Sequence, residues 1–416
     1  MRRSRVALVV ARAGLLAATL LLACASCAPR AQTPPRTVTF WVTAPVAAIA
    51  PSVRRFEAET PGVVVELVGL PWTTGADTLE AALAADRAPD LAQLHDAQVG
   101  PLMGRGLLTD WSAGVADLRT TLRGWDLCME GDAILGLPWL VRTQSLVLDE
   151  ALCARAHLDP SRPPATWSEL RAAAIALQRL GHGVHGLGIA VDDSGAALAS
   201  VMPFLWGNGG ALANATRDTS WLDSPANREA LAYLQSLRPA LLTASQDSLE
   251  REALAGRLGM LITGAGFEAR AAAAPSPRAF VFAGLPAPAR DHGTAAAWLG
   301  GEVLASFTAS RHKEDALKLA RFLARPDEDA AVARALAAVQ PAALAADTSA
   351  WVRASAMRRV IARQLADARA LPPHGQWPAM ARVLAQAFAD VLTARRTPSE
   401  ALASADTTFA ARLRQR

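Results

Sequence analysis

Hydrophobic and polar positions follow two alternating periods along the chain after residue 36. Three stretches alternate with the period of a strand, and the two stretches between them have the apolar spacing of a helix. The predicted strands are 37–42, 63–68 and 89–94, and the predicted helices are 47–59 and 76–86. Pro61-Gly62 separates the first helix from the second strand. A strand–helix–strand series of this kind predicts an α/β fold with a parallel, doubly wound sheet.

The same periods continue to the end of the chain. Further strands are predicted at 143–148, 187–191, 258–262, 280–284 and 301–305, and further helices at 227–237, 312–324, 327–339 and 351–370. Thr166, followed three residues later by Glu169, predicts a capping box at the start of another helix. Sheets of this class bind ligands beyond the carboxyl ends of their strands, where Trp41, Trp72 and His95-Asp96 fall.

The amino terminus has the order of a secretory signal, a basic start followed by an apolar stretch, over residues 1–23. The stretch ends in Leu21-Leu22-Ala23-Cys24, which resembles the lipobox of bacterial lipoproteins and makes Cys24 the expected lipid acceptor. Cys27 is a weaker alternative, because Cys24 then occupies the position where the lipobox has leucine. Residues 24–36 contain three prolines and are expected to form a flexible tether.

Composition limits the possible classes of protein. The chain has 416 residues, enough for two or three domains, and 51% of them are hydrophobic. The formal net charge of +4 equals the four arginines of the signal, and the remainder carries 38 basic and 38 acidic residues. A nucleic-acid-binding protein normally has a basic face on its folded part, so this class is excluded.

The cysteines and histidines offer little chemistry. Cys128 and Cys153 either form one disulfide or remain two buried thiols, and the sequence leaves both open. His182 and His185 lie in a glycine-rich stretch that indicates a loop, so neither a metal site nor a cofactor is predicted.

The mature chain resembles the extracytoplasmic solute-binding proteins of ABC importers, the sugar-binding family that includes maltose-binding protein. Short motifs carry the resemblance, and they occur in the family's order over about 300 residues. They are Val38-Thr39-Phe40-Trp41, Phe56-Glu57-Ala58-Glu59-Thr60-Pro61-Gly62-Val63-Val64-Val65, Ala88-Pro89-Asp90-Leu91, Gly136-Leu137-Pro138, Pro164-Ala165-Thr166-Trp167-Ser168-Glu169-Leu170, Leu205-Trp206-Gly207-Asn208-Gly209-Gly210, Gly259-Met260, Gly300-Gly301 and 316–323.

The resemblance implies a two-lobed periplasmic-binding-protein fold of type II, in which each lobe is a doubly wound sheet with flanking helices. Residues 37–139 and 286–340 would form the first lobe, and 140–285 and 341–416 the second, with crossovers near Trp139 and Pro286. It further implies a monomer, anchored to the membrane through Cys24, that holds a small solute between its lobes and delivers it to an ABC permease.

A sugar site needs flat aromatic rings for the apolar faces of the solute and polar side chains for its hydroxyls. Of eleven tryptophans, those at predicted strand ends or turns are the candidates: Trp41, Trp72, Trp139, Trp206 and Trp298. Five others are assigned to packing: Trp111, Trp125, Trp167, Trp221 and Trp351. The remaining candidates follow strands or glycine-rich turns: His95, Asp96, Arg142, Asn208, Phe267 and Glu302. At each of these positions packing or a structural hydrogen bond is the alternative, and at Glu302 we favour it.

Other functions remain to be weighed. The stretch 145–149 is aliphatic where the family often has aromatic residues and asparagine, so a polyol, or a sugar phosphate bound by Arg142, also fits. The chain lacks Gly-x-Ser-x-Gly, His-Glu-x-x-His, Walker and dinucleotide motifs, which argues against an enzyme. With Tyr233 as its single tyrosine, it lacks the tyrosine pair of iron-binding relatives. A sensory or structural lipoprotein of the same fold stays an alternative.

Overall fold

The computed structural model describes residues 34–289 and 293–415, so the predicted signal peptide, Cys24 and most of the tether lie outside the described residues. The described chain forms two lobes, each built on one sheet that is flanked by helices. The α/β, two-lobed fold expected from the sequence is therefore confirmed. Within these residues, none of the helices combines the length and hydrophobicity that crossing a bilayer requires.

The sheet of the first lobe has six strands. In spatial order they are Gln340–Pro341, Leu137–Arg142, Gly300–Ala305, Leu91–His95, Arg36–Val42 and Val63–Gly69. The last three are parallel, as the alternating pattern predicts, and they bring the carboxyl ends of their strands to one edge. Gly300–Ala305 is antiparallel to both of its neighbours.

The sheet of the second lobe has five strands. In spatial order they are Phe280–Ala283, Ser145–Asp149, Leu258–Thr263, His185–Ala190 and Leu241–Ala244. The last three are parallel to one another, and the first two are antiparallel to their neighbours. Met129–Glu130 and Ala133–Ile134 form a separate short hairpin.

Helices cover both sheets. Those of the first lobe are Val46–Glu59, Gly75–Ala84, Asp96–Gly104, Ser112–Val115, Lys313–Leu323 and Pro326–Leu336. Those of the second are Glu150–Arg155, Trp167–Gln178, Ser194–Gly207, Pro225–Ser236, Gln246–Leu254, Gly266–Ala272, Ala356–Leu365, Trp377–Leu392 and Pro398–Leu413. Ala350–Ala354 lies between the lobes, and single 3₁₀ turns occur at Ala116–Leu118, Trp125–Leu127, Arg238–Ala240 and Leu344–Thr348.

Two local predictions are tested directly by the helix ends. Thr166 Oγ1 accepts a hydrogen bond from Glu169 N, and Glu169 Oε2 accepts one from Thr166 N, so the capping box is confirmed. The single helix predicted at 351–370 is wrong. Ser355 is extended (φ −102°, ψ 127°) and its side chain caps a new helix, so the segment divides into Ala350–Ala354 and Ala356–Leu365.

The chain passes between the two sheets three times. The first passage is Thr143-Gln144. It connects the strand Leu137–Arg142 of the first sheet to the strand Ser145–Asp149 of the second, so the strand predicted to begin at residue 143 begins at residue 145. The second passage lies between Ala283 and Gly300, and the third follows Pro341. They fall near the crossovers expected at Trp139 and Pro286, but the first comes after Arg142 rather than at Trp139.

The two cysteines of the described chain are buried in separate hydrophobic clusters. Cys128 packs in the core of the first lobe and Cys153 in that of the second, and both are free thiols. Of the two alternatives left open by the sequence, the disulfide is therefore wrong, and the pair of buried thiols is confirmed.

Candidate binding cleft

A cleft of about 590 Å³ lies between the lobes and is lined by residues of both. One wall comes from the carboxyl-end edge of the first sheet, and the other from helices and a strand end of the second lobe. The first passage, Thr143-Gln144, and Trp298 of the second passage also line it. This is the position that a doubly wound sheet predicts for a ligand.

The first-lobe wall is an ionic cluster set on three neighbouring strands. His95 ends one strand, Arg142 ends another, and the strand between them carries Glu302 directly opposite His95. Arg142 Nη1 donates to Glu302 Oε1 over 2.9 Å, and Nη2 donates to Asp96 Oδ2 over 3.3 Å. Arg142 Nη2 also contacts His95 Nε2. One guanidinium thereby joins both carboxylates and the imidazole of the wall.

Local backbone geometry brings Asp96 into this cluster. His95 caps the helix Asp96–Gly104: its Nδ1 accepts from Ala97 N over 3.1 Å and also lies 2.7 Å from Asp96 Oδ1. Asp96 Oδ2 further accepts from the backbone N–H of Gly301 over 3.0 Å. A Cβ at residue 300 would lie 2.6 Å from Asp96 Oδ2, so the absence of a side chain at Gly300 permits this close approach.

The cluster shifts the pKa values of its members in opposite directions. Burial alone would raise the pKa of Asp96, but the neighbouring His95 and Arg142 outweigh it and lower that pKa below its ordinary value. Burial raises the pKa of Glu302, and Arg142 only partly offsets this. Burial would lower the pKa of Arg142, but the two carboxylates raise it. Asp96 and Arg142 are therefore a charged pair, and Glu302 binds its proton more tightly than an exposed glutamate.

The second-lobe wall carries a second carboxylate–arginine pair. Glu250 is buried, and its Oε1 accepts from Thr263 Oγ1 over 2.6 Å and from Gln246 Nε2 over 3.1 Å. Its Oε2 contacts Arg270 Nη2, and Arg270 Nη1 also donates to Asp247 over 3.0 Å. Both walls thus present a carboxylate beside a guanidinium, each pair formed within its own lobe.

Two indole rings supply apolar surface to the cleft. Trp72 is 62% exposed and stands edge-on to the imidazole of His95, with ring centroids 5.8 Å apart. Trp298 is buried on its other face by Trp206, whose ring is stacked 5.8 Å away at an interplanar angle of 16°. Trp72 therefore offers an open ring, whereas Trp298 forms a fixed part of the wall.

Six of the eleven predicted site residues meet at the cleft. Trp72, His95, Asp96, Arg142 and Trp298 line it, and Glu302 lies buried behind Arg142, consistent with the structural hydrogen bond favoured there. Whether they contact a solute stays a prediction. The cleft does not include the other five: Trp41, Trp139, Trp206, Asn208 and Phe267.

Each of these five has a structural contact elsewhere. Trp139 and Phe267 are fully buried near Phe40 and Phe280, which fits the packing alternative given for them.

The other three also have contacts outside the cleft lining. Trp41 is half-buried against the first-lobe core, and Trp206 reaches the cleft only through Trp298. Asn208 donates to Ala226 O over 2.9 Å. Trp221, assigned to packing, is 53% exposed.

The sequence analysis missed the second-lobe wall altogether. Gln246, Glu250 and Arg270 are ordinary surface-type residues in sequence, and their pairing depends on a strand end, Thr263, that lies between them in the chain. One signal was present: Ser245 is a helix N-cap residue, and Gln246 and Glu250 follow at the i, i+4 spacing of one helix face.

The chain is similar to a known protein family and to proteins of that kind in other bacteria. Residues 52–359 match a family model described as bacterial extracellular solute-binding protein. A protein of Brucella abortus (strain 2308) whose name describes a binding protein is 24% identical over 332 residues, covering 76% of this chain and 77% of that protein.

Three solved structures superimpose over nearly the whole chain. A cyclic α-maltosyl-1,6-maltose binding protein from Arthrobacter globiformis has a TM-score of 0.81 and 25% identity, covering 92% of this chain and 100% of that chain. The sugar-binding protein MalE of Xanthomonas citri has 0.79 and 21%, with coverages of 91% and 97%. UgpB of Mycobacterium tuberculosis, in complex with glycerophosphocholine, has 0.78 and 20%, with coverages of 92% and 98%.

Proposed function

Since the chain belongs to the family of bacterial extracellular solute-binding proteins, we propose that it is the solute receptor of an ABC importer and that its solute is a neutral sugar or short oligosaccharide. One observation carries the choice of solute: an exposed indole ring, Trp72, stands beside carboxylate–arginine pairs in a cleft between the lobes. The ring suits the apolar face of a sugar, and the pairs supply acceptors and donors for its hydroxyls.

The charges of the cleft argue for a neutral solute. Among the lining residues that the structure describes, both arginines already have carboxylate partners, Arg142 with Asp96 and Glu302, and Arg270 with Glu250. A sugar phosphate would have to displace a carboxylate from a buried ion pair, which is unfavourable. The anionic alternative considered for Arg142 is accordingly disfavoured.

Relatives support the same solute class. Two of the superimposable structures bear names that describe sugar or maltosyl-maltose binding. The third was solved in complex with glycerophosphocholine, so the fold also accepts a solute that is not a sugar. The name of the Brucella relative describes binding without a solute. The family and these relatives are binding proteins, in line with the absence of catalytic motifs from the sequence.

Closure of the two lobes would convert binding into a signal for transport. A solute that contacts both walls stabilises the closed arrangement by its differential affinity for it, and an ABC permease would recognise that arrangement. We propose that the receptor acts as a monomer, with lobes divided at the three passages of the chain.

A screen by thermal shift tests the solute class directly, since a ligand raises the unfolding midpoint by mass action. We expect neutral mono- and oligosaccharides to raise the midpoint, and sugar phosphates and amino acids to leave it unchanged. Shifts with amino acids alone would refute the carbohydrate assignment.

Trp72→Ala then tests the site with the best sugar of that screen. We expect the Kd to rise about tenfold or more, because the variant loses the stacking ring. Trp221→Ala is the matched control: it removes a similarly exposed indole, 53% against 62%, from outside the cleft. Equal affinities in the two variants would contradict a stacking role for Trp72.

We also propose that Cys24 carries the lipid that holds the receptor at the membrane outside the cytoplasm. The motif Leu21-Leu22-Ala23-Cys24 supports this, and the family description is extracellular. Cys24→Ser should move the protein from the membrane fraction to the soluble fraction, whereas Cys27→Ser should not. Retention of the Cys24→Ser variant in the membrane would contradict the assignment.

A further inference from the structure

The helix Ala356–Leu365, called the hinge helix below, contacts the first two passages of the chain between the lobes and the segment that leads to the third. It packs against the second-lobe strand Phe280–Ala283 and follows the third passage directly. Two of its side chains bond to backbone atoms: Gln364 to the first two passages, and Arg358 to the first-lobe segment before the third.

Gln364 joins the first two passages through a single side-chain amide. Its Nε2 donates to the carbonyl oxygen of Gln144 over 2.5 Å, and its Oε1 accepts from the backbone N–H of Leu285 over 2.8 Å. Both halves of the amide are therefore used, in the orientation that satisfies a donor and an acceptor at once. A Cβ added at Gly284, next to Leu285, would lie 3.3 Å from Gln364 Oε1. The side chain of Gln364 and the backbone of the second passage are therefore in close contact.

Arg358 makes the corresponding contact with the chain leading into the third passage. Its Nη1 donates to Val339 O over 3.0 Å and its Nη2 to Ala337 O over 2.5 Å, while the guanidinium stacks on Trp351 at 3.8 Å. Ala337 has a positive φ of 59°, an uncommon conformation for alanine. The two carbonyls are thus held by a nearly buried cation from the other lobe.

These bonded segments also form the floor of the cleft. Thr143 and Gln144 line it, as does Ala338, between the two carbonyls that Arg358 holds. The side-chain oxygens of Thr143 and Gln144 are buried and have no hydrogen-bond partner among the described residues. A rotation of one lobe against the other must change the torsions of the passages, Thr143 and Gln144 among them, because they are the connections between the lobes.

We propose that Gln364 is the positioning residue that sets the relative arrangement of the lobes, by bonding the first two passages to each other. Gln364 does not itself line the cleft, and it acts through the backbone of Gln144 and Leu285. The proposal rests on the lobe closure proposed above but not on the identity of the solute. Loss of its two hydrogen bonds would let the lobes sample a wider range of separations, so that a smaller fraction would be competent to bind.

The distance between the lobes in the solute-free protein is the measurement that tests this. Spin labels on Ala81→Cys in the first lobe and Ala172→Cys in the second, both exposed, report the distance distribution by pulsed electron resonance. Cys24 and Cys27 are replaced by serine. Cys128 and Cys153 are buried, and burial raises the pKa of Cys153 to about 11, so neither should react with the label.

Three variants are compared in this labelled protein. Gln364→Met keeps the length of the side chain and loses both hydrogen bonds, and Gln364→Glu keeps only the acceptor for Leu285 N–H. Arg363→Met, at an exposed neighbouring position of the hinge helix, is the control. We expect a broader distance distribution in both Gln364 variants and an unchanged one in the control.

Solute affinity provides a second readout, with maltose and the other sugars of the thermal-shift screen as probes. We expect Gln364→Met to weaken every bound sugar by the same factor, about fivefold, as for the loss of one or two neutral hydrogen bonds. Trp72→Ala should instead change the order of preference. If no sugar binds, the proposed function fails while the distance measurement still decides the role of Gln364.

Two results would overturn the proposal. One is a distance distribution in folded Gln364→Met and Gln364→Glu that matches the wild type. The other is failure of both variants to fold, which would show that Gln364 maintains the fold rather than the arrangement of the lobes.

Discussion

Arg142 is the side chain on which the first-lobe wall depends, and Arg142→Met tests that dependence. Its guanidinium is the shared partner of Asp96 and Glu302 and contacts His95. Methionine keeps much of the apolar stem but leaves two carboxylates close together with no arginine between them. One of these, Glu302, has only 5% of its side chain exposed.

The magnitude follows from the burial of the cluster. Removal of one partner from a buried ion pair costs about 3–5 kcal/mol, and the 30% exposure of the Arg142 side chain places this case at about 3 kcal/mol. For a lobe of this size such a loss lowers the unfolding midpoint by about 6–12 °C. Arg105→Met, which removes an exposed surface pair with Glu80, should reduce the free energy of unfolding by less than about 1 kcal/mol.

The pH dependence of the loss gives the sharper test. Arg142 helps to lower the pKa of Asp96, so this pair contributes stability above the unfolded pKa of aspartate. The pKa of Glu302 is already raised by burial, and removal of the guanidinium should raise it further, so ionisation of Glu302 opposes folding as the pH increases. The difference between wild type and Arg142→Met should therefore be larger at pH 8 than at pH 5.

Thermal unfolding of wild type, Arg142→Met and Arg105→Met at pH 5 and pH 8 measures both effects. Addition of Glu302→Gln to Arg142→Met should restore part of the midpoint at pH 8, because one uncompensated carboxylate is removed. An equal loss at both pH values, or a loss no larger than that of Arg105→Met, would refute this account of the cluster.

Two further changes test contacts away from the ionic cluster. Gly100→Ala would place a Cβ 2.4 Å from the backbone N and O of His374, so the two lobes must move apart there by about 1 Å. We therefore expect the unfolding midpoint of this variant to fall. Gly104→Ala is the control and should have little effect, because its Cβ would lie 3.4 Å from the nearest atom. Trp206→Ala should cost about 3 kcal/mol of stability, because it leaves a cavity behind Trp298. It should weaken sugar binding less than Trp72→Ala does. The opposite order of affinities would indicate that Trp206 contacts the solute.

Local signals in the sequence were sufficient for the elements with one clear period. The strand Val63–Gly69 alternates buried and exposed positions at its start, and the helix before it ends at Pro61-Gly62 as predicted. The helix Ser194–Gly207 was missed because its second half is buried on nearly all sides, so it has no polar face to mark a helical period.

The strand Leu137–Arg142 was missed for a different reason. Pro138 argues locally against a strand, since proline cannot donate a hydrogen bond to a sheet. The structure accommodates it where the pairing register with the neighbouring strand shifts, between Glu302 and Val303, so the ladder is already interrupted there. This irregularity places Trp139 inside the core and Arg142 at the cleft, and it depends on a partner strand about 160 residues away, which no local pattern reveals.

The distribution of ion pairs explains why an empty cleft would not close by itself. Arg142 bonds to Asp96 and Glu302 within the first lobe, and Arg270 contacts Glu250 within the second. Asp193 of the second lobe lies across the cleft, and its charge helps to raise the pKa of Arg142, but the two side chains form no ion pair in the described structure. The charges are thus satisfied inside each lobe, and little electrostatic attraction remains to draw the walls together. A solute with hydroxyls on both edges could bond to both walls at once, and the free energy of those bonds would then favour closure only when the solute is present.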